Sequence, residues 1–163
     1  MHKLDWIQNK IMNRLNLFHY INAQKIAGKK IVFTNGCFDI LHKGHIDILS
    51  RAADEGDILI VGINSDDSVK RLKGAQRPIN NENDRALQIA SMLVVDAVCI
   101  FGEDTPLEII KLFQPDVLVK GGDYAIETIV GATEVMHRGG KVVVAPFVEG
   151  YSTSNTLLKI QSL

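Results

Sequence analysis

Cysteine is almost missing from this chain of 163 residues: only Cys37 and Cys99 occur. Two thiols cannot frame a disulfide-stapled secreted fold, and a reducing compartment, the cytoplasm, is the expected setting. An excess of one charge is missing as well. Eighteen Lys and Arg face nineteen Asp and Glu, a net charge of −1, so no global pull toward nucleic acid or a membrane surface is expected. Any anion site must be local. No apolar run approaches the ~20 residues that a membrane span requires. Asp5 and Gln8 break up the N-terminal apolar residues, which speaks against a signal peptide. Internal repeats, low-complexity stretches and linkers are absent, so the length suggests one domain with a substantial core. The common phosphate loops are absent too: there is neither GxxxxGK[ST] nor GxGxxG.

What is present is an alternation of helical and strand patterns. Leu4, Ile7, Ile11, Leu15 and Phe18 predict one helix over 1–27, ended by Gly28. Short apolar strands are expected at 31–33, 58–63, 96–101, 116–120 and 141–145. Between them fall helices at 46–53, 68–72, 82–94, 105–113 and 133–138, and a last helix follows Asn155. The 82–94 helix is expected to bury Ala86, Leu87, Ile89, Ala90 and Leu93. The Gly- and Pro-containing loop 73–80 is the segment expected to be mobile. Continuous apolar strands between helices predict a parallel sheet covered on both faces. In such sheets ligands sit beyond the carboxyl ends of the strands.

The chain is organised around residues 31–45. An apolar strand, Ile31 to Phe33, runs into the small polar turn Thr34-Asn35-Gly36, and a helix starts after His42-Lys43-Gly44-His45. The first N–H groups of a helix lack internal partners and carry partial positive charge, so a strand, a turn and a helix start build an anion site. Gly44 leaves room for a ligand beside the backbone, and His42 and His45 share one face of the first turn. Cys37, His42 and His45 could alternatively supply three zinc ligands, although no CxxC or HExxH pairing accompanies them. Lys73, Arg77 and Arg85 are a solvated basic face or anion contacts. Gly121-Gly122-Asp123 follows a strand end and suits a ligand lying against backbone. Ser152-Thr153-Ser154 is a helix cap or a second phosphate cradle. Cys37 reads as a small packing residue.

His42-Lys43-Gly44-His45 at the first strand-helix junction, with Ser152-Thr153-Ser154 opening the last helix, resembles the cytidylyltransferase-like nucleotidyltransferase superfamily and its HxGH motif. Within it the chain is most similar to the adenylyltransferases that make ADP-heptose from heptose 1-phosphate. The resemblance rests on Phe33 to Asp39, Asn64-Ser65-Asp66, Arg77-Pro78-Ile79-Asn80, Glu103-Asp104-Thr105-Pro106 and Val119 to Tyr124, and it covers about residues 30–160. Ile46-Asp47-Ile48, Tyr151 and Ser154 depart from the pattern. In many bacteria the activity is fused to a sugar kinase; the chain resembles the stand-alone form.

The resemblance implies an α/β fold, Rossmann-like, three-layered with a five-stranded parallel sheet and an N-terminal helix. It divides the chain into a helical extension, 1–28, and a nucleotidyltransferase domain, 29–163. It implies transfer of AMP from ATP to a sugar 1-phosphate, with Mg²⁺ accompanying ATP, in a cytoplasmic homodimer without nucleic-acid or membrane partners. His42, His45 and Lys73 would be catalytic. Nucleotide binding would fall to Asn35, Gly36, Cys37, Phe38, Asp39, His42, Gly44 and His45, joined by Lys120, Gly121, Asp123, Glu149, Ser152, Thr153 and Ser154. Asn64, Asp66, Lys73, Arg77 and Arg85 would hold the sugar phosphate. Three rivals stand beside this: a cytidylyltransferase acting on glycerol 3-phosphate or another alcohol phosphate, a non-catalytic nucleotide-binding module, and a zinc hydrolase.

Overall fold

Five apolar runs become five parallel strands, because each is flanked by a helix that returns the chain to the same edge. The computed structural model describes residues 2–146, 148, 150–151 and 153–161. The strands are β1 (Ile31–Gly36), β2 (Ile58–Asn64), β3 (Ala97–Phe101), β4 (Val117–Gly121) and β5 (Lys141–Ala145). Their order across the sheet is β3-β2-β1-β4-β5, all neighbours parallel. The winding therefore reverses at β1, between β2 and β4, and a crevice opens there at the carboxyl ends.

The period-two geometry of β1 shows why both faces are covered. Ile31 and Phe33 face a cluster built with α2 (Arg14–Ile26), α6 (Leu107–Phe113) and α7 (Ala132–His137). Val32 faces the other cluster, with α3 (Lys43–Ala53) and α5 (Glu82–Ala90). Between β2 and α5 lies the short helix α4 (Asp66–Lys73), capped by the Ser65 hydroxyl. A last helix, α8, covers Thr153–Gln161. Among the described residues no helix is long and apolar enough to cross a membrane.

Two expectations need correction. The N-terminal segment is not one helix. It forms α1 (Lys3–Gln8) and α2, separated by an extended strap in which Ile11 pairs with Val98. The Met12 amide donates to the Val98 carbonyl at 2.9 Å, and Val98 donates to Lys10 at 2.8 Å. Sheet pairing at the β3 edge outweighs helical continuity, and the Asn13 side chain then caps α2. The other correction concerns α5, which stops at Ala90 rather than Val94. The chain turns there, so Leu93 loses the helical phase and is 97% exposed. The Lys10 ammonium holds this turn by donating to the Val95 carbonyl at 2.7 Å.

Candidate active site

At the end of β1 the chain turns through Phe38, a non-glycine residue at φ +48°. That left-handed backbone costs roughly 1–2 kcal/mol, and burial of the Phe38 ring offsets it. The turn delivers His42 to the N-cap of α3, where its carbonyl accepts the His45 amide at 2.9 Å. The His42 imidazole makes no cap bond. It lies instead against the His45 ring, stacked with centroids 3.9 Å apart and planes 23° from parallel. Phe38 flanks His45 at 5.3 Å. Gly44 permits this stack, since a Cβ there would sit 3.0 Å from the His42 Nδ1.

The Nδ1 atoms of both histidines are buried and have no hydrogen-bond partner among the described residues. Buried polar atoms are ordinarily paired, so two orphans in adjoining rings set this turn apart. Burial lowers the His42 pKa. Burial, and then the neighbouring His42, push His45 down to about 4. Both rings are therefore neutral near pH 7, each able to donate one ring N–H.

The histidines line a cleft of about 350 Å³ together with Asn35, Gly36, Cys37, Phe38, Asp39 and Gly44. Lys73, Arg77, Lys120, Gly121 and Thr153 complete its predicted lining. A second chamber of about 360 Å³ adjoins it and contains Asn64. Asn35, Gly36, Cys37, Lys73, Lys120 and Tyr124 line both chambers and form the partition. Burial raises the Cys37 thiol pKa, while Lys73, Arg85, Arg77 and Lys120 pull the other way. Four cations thus surround this end of β1 in a chain whose net charge is −1. Burial also lowers the Lys120 pKa, with Lys73 adding repulsion. The positive field is local, as the composition required.

Asp39 is 1% exposed and points back at loop 74–81. Its carboxylate accepts Arg77 Nε at 2.6 Å and the amides of Ile79 at 2.8 Å and Asn80 at 2.9 Å. Burial works against the charge, but the Asn80 and Ile79 amides and Arg77 outweigh it and hold the carboxyl below its usual range. The loop expected to be mobile is thereby stapled to the turn that follows β1.

Arg85 is not brought to the cleft. It is fully buried, donating to the carbonyls of Asn80 at 3.0 Å, Cys37 at 2.5 Å and Asn64 at 2.8 Å, and to Asp66 at 2.8 Å. Asp66 shares this supporting position and lines neither chamber. Asp123 is exposed and also lines neither. Gly121 matters by close approach, since a Cβ there would fall 1.8 Å from Ile48 Cδ1. Glu149 and Ser152 lie outside the described residues, as does the side chain of Ser154. Among the described residues no three His, Cys, Asp or Glu side chains are grouped to hold a metal. Sequence reasoning assigned no site role to Tyr124 or to 128–130, which line the second chamber. Nothing in their local pattern separates a chamber wall from an ordinary loop.

A Rossmann-like sheet with an HxGH turn at its switch point defines the class. The chain belongs to the cytidylyltransferase-like family, whose sequence model matches residues 33–157. It is 51% identical over 154 residues to the bifunctional protein HldE of Citrifermentans bemidjiense, covering 94% of this chain and 32% of that protein. The corresponding protein of Helicobacter hepaticus is 53% identical over 156 residues, covering 96% of this chain and 31% of the relative. The chain spans about a third of the length of these curated relatives. The lipopolysaccharide core biosynthesis protein from Thermoplasma volcanium superposes with a TM-score of 0.60 at 30% identity, covering 77% of this chain and all of that one. Pantoate-beta-alanine ligase from Francisella tularensis shares the fold, with a TM-score of 0.59 at 17% identity over 94% of this chain and 79% of that one.

Proposed function

We propose that this chain is an adenylyltransferase that transfers AMP from ATP to a sugar 1-phosphate, with heptose 1-phosphate as the acceptor and ADP-heptose as the product. The observation that carries the reading is the His42–His45 stack, which lines a cationic cleft and whose Nδ1 atoms are buried without partners among the described residues. The names of the relatives, HldE and a lipopolysaccharide core biosynthesis protein, direct the acceptor toward a glycan precursor.

In this reading an oxygen of the acceptor phosphate forms a bond to the α-phosphorus of ATP. The bond from that phosphorus to the α,β-bridging oxygen breaks, and pyrophosphate leaves with the electron pair. No covalent enzyme intermediate is needed; positioning and charge stabilisation suffice. Neutral His42 and His45 donate to the phosphate oxygens as charge shifts onto the leaving group. Lys73 and Lys120, on the partition, hold the two reacting phosphates against their mutual repulsion. The described residues include no carboxylate cluster for a resident metal, and Asp39 is committed to its loop. Mg²⁺ would enter on the triphosphate, with phosphate oxygens and water as its ligands. A cytoplasmic setting and a homodimer belong to the same proposal.

The test is pyrophosphate release with heptose 1-phosphate, with ATP and CTP assayed side by side. Release with ATP is expected, and His42→Ala or His45→Ala should each lower kcat by roughly 10²–10³-fold. Release with CTP alone, or with glycerol 3-phosphate in place of the sugar, would point to the cytidylyltransferase reading. Nucleotide binding without release would make the chain a binding module.

A further inference from the structure

We propose that the second chamber takes the hydroxylated body of the acceptor sugar, and that Asp104, in the loop from Gly102 to Pro106, selects it. This rests on the adenylyltransferase reading and goes beyond it, because no comparison assigns this chamber a ligand.

The two chambers differ in chemistry. The histidines, Arg77 and Thr153 line only the first. Asn64, Asp104, Thr105 and Thr128 line only the second, interleaved with Leu72 and Val130. Among the described residues the second chamber takes its cations from the partition alone, through Lys73 and Lys120. The triphosphate of a nucleotide has no reason to lie against a carboxylate, which repels it. A sugar phosphate does: its phosphate meets the partition lysines, its hydroxyls meet amide, hydroxyl and carboxylate groups, and its ring faces meet the apolar side chains.

The Asp104 wall is held in place from three sides. Arg71 Nε donates to Asp104 Oδ1 at 2.7 Å, and its Nη2 donates to the Gly102 carbonyl at 2.6 Å. The Ser68 hydroxyl donates to the Glu103 carbonyl at 2.9 Å. Arg14, at the start of α2, pairs with the Glu103 carboxylate. Asp104 lines the chamber with an exposed carboxylate, and its second oxygen has no protein partner among the described residues, so it is free to accept from a hydroxyl. Arg71 and Arg14 are positioning residues in this account, and Asp104 is the selecting group.

Asp104→Ala and Arg71→Met test it, with ATP binding by calorimetry and steady-state kinetics on heptose 1-phosphate and glucose 1-phosphate. Losing a hydrogen bond to a charged group corresponds to roughly tenfold or more. Asp104→Ala is therefore expected to raise the acceptor KM about tenfold and to narrow the preference between the two sugars. Its ATP affinity and kcat should stay near wild type, which also reports that the variant is folded. Arg71→Met should shift the acceptor KM in the same direction by less. Turnover with an unchanged acceptor KM and preference, or an ATP affinity that falls in step, overturns the proposal while leaving the adenylyltransferase reading intact. A wild-type protein that turns over no sugar phosphate overturns both.

Discussion

His45 carries a titration signature that follows from its surroundings. Burial, with His42 adding to it, sets its pKa at about 4 against an ordinary 6.5. In the window between those values the unfolded chain binds a proton that the folded chain does not. Stability of the free protein therefore falls as pH drops through that window. A bound polyanion favours the imidazolium and pushes the pKa back up. ATP binding at pH about 5.5 should then draw protons from solution, seen as a calorimetric enthalpy that changes with the ionisation heat of the buffer. His45→Gln should remove most of that dependence; an equal dependence in the variant would contradict the assignment. His42, Gly44 and His45 were legible in the sequence because helix geometry alone places i and i+3 on one face. The ring stack and the orphaned nitrogens were not, since they depend on Phe38 and the left-handed turn before them.

Elements, rather than single residues, explain Arg85. A basic residue three positions into a helix beside a basic loop reads as an anion contact. The structure turns it inward, where one side chain ties the ends of β1 and β2, the start of α4 and loop 74–81. Only the packed sheet shows that three carbonyls converge on that point. Arg85→Met should leave those carbonyls and Asp66 unpaired and cost about 3–5 kcal/mol, read as a lowered urea midpoint. A variant within about 1 kcal/mol of wild type would contradict the buried hub. The N-terminal strap is a similar case. Its apolar spacing is compatible with a helix, and the decision is made by the distant β3 edge, which offers the Val98 backbone to Lys10 and Met12. The strands themselves were legible because buried parallel strands are continuous β-branched runs with few alternatives.

For the whole molecule, a nearly neutral chain concentrates cations at one sheet edge and leaves other charges in exposed pairs such as Arg51–Asp47 and Lys141–Glu55. The reversal of winding at β1 places that edge where phosphates can be held between two chambers. In the proposed reading the two sides of the switch point divide the work. The histidines hold the nucleotide, the Asp104 wall holds the acceptor, and the chemistry takes place at the partition. The transfer of the α-phosphoryl group with its nucleoside defines the proposed reaction. It is tested most directly by following ATP labelled at either the α- or the γ-phosphorus through one round with heptose 1-phosphate. The α-label is expected in the sugar nucleotide and the γ-label in pyrophosphate, with both transfers slowed roughly 10²–10³-fold in His45→Ala. A γ-label found on the sugar, or an α-label that never leaves the adenosine phosphates, would contradict it.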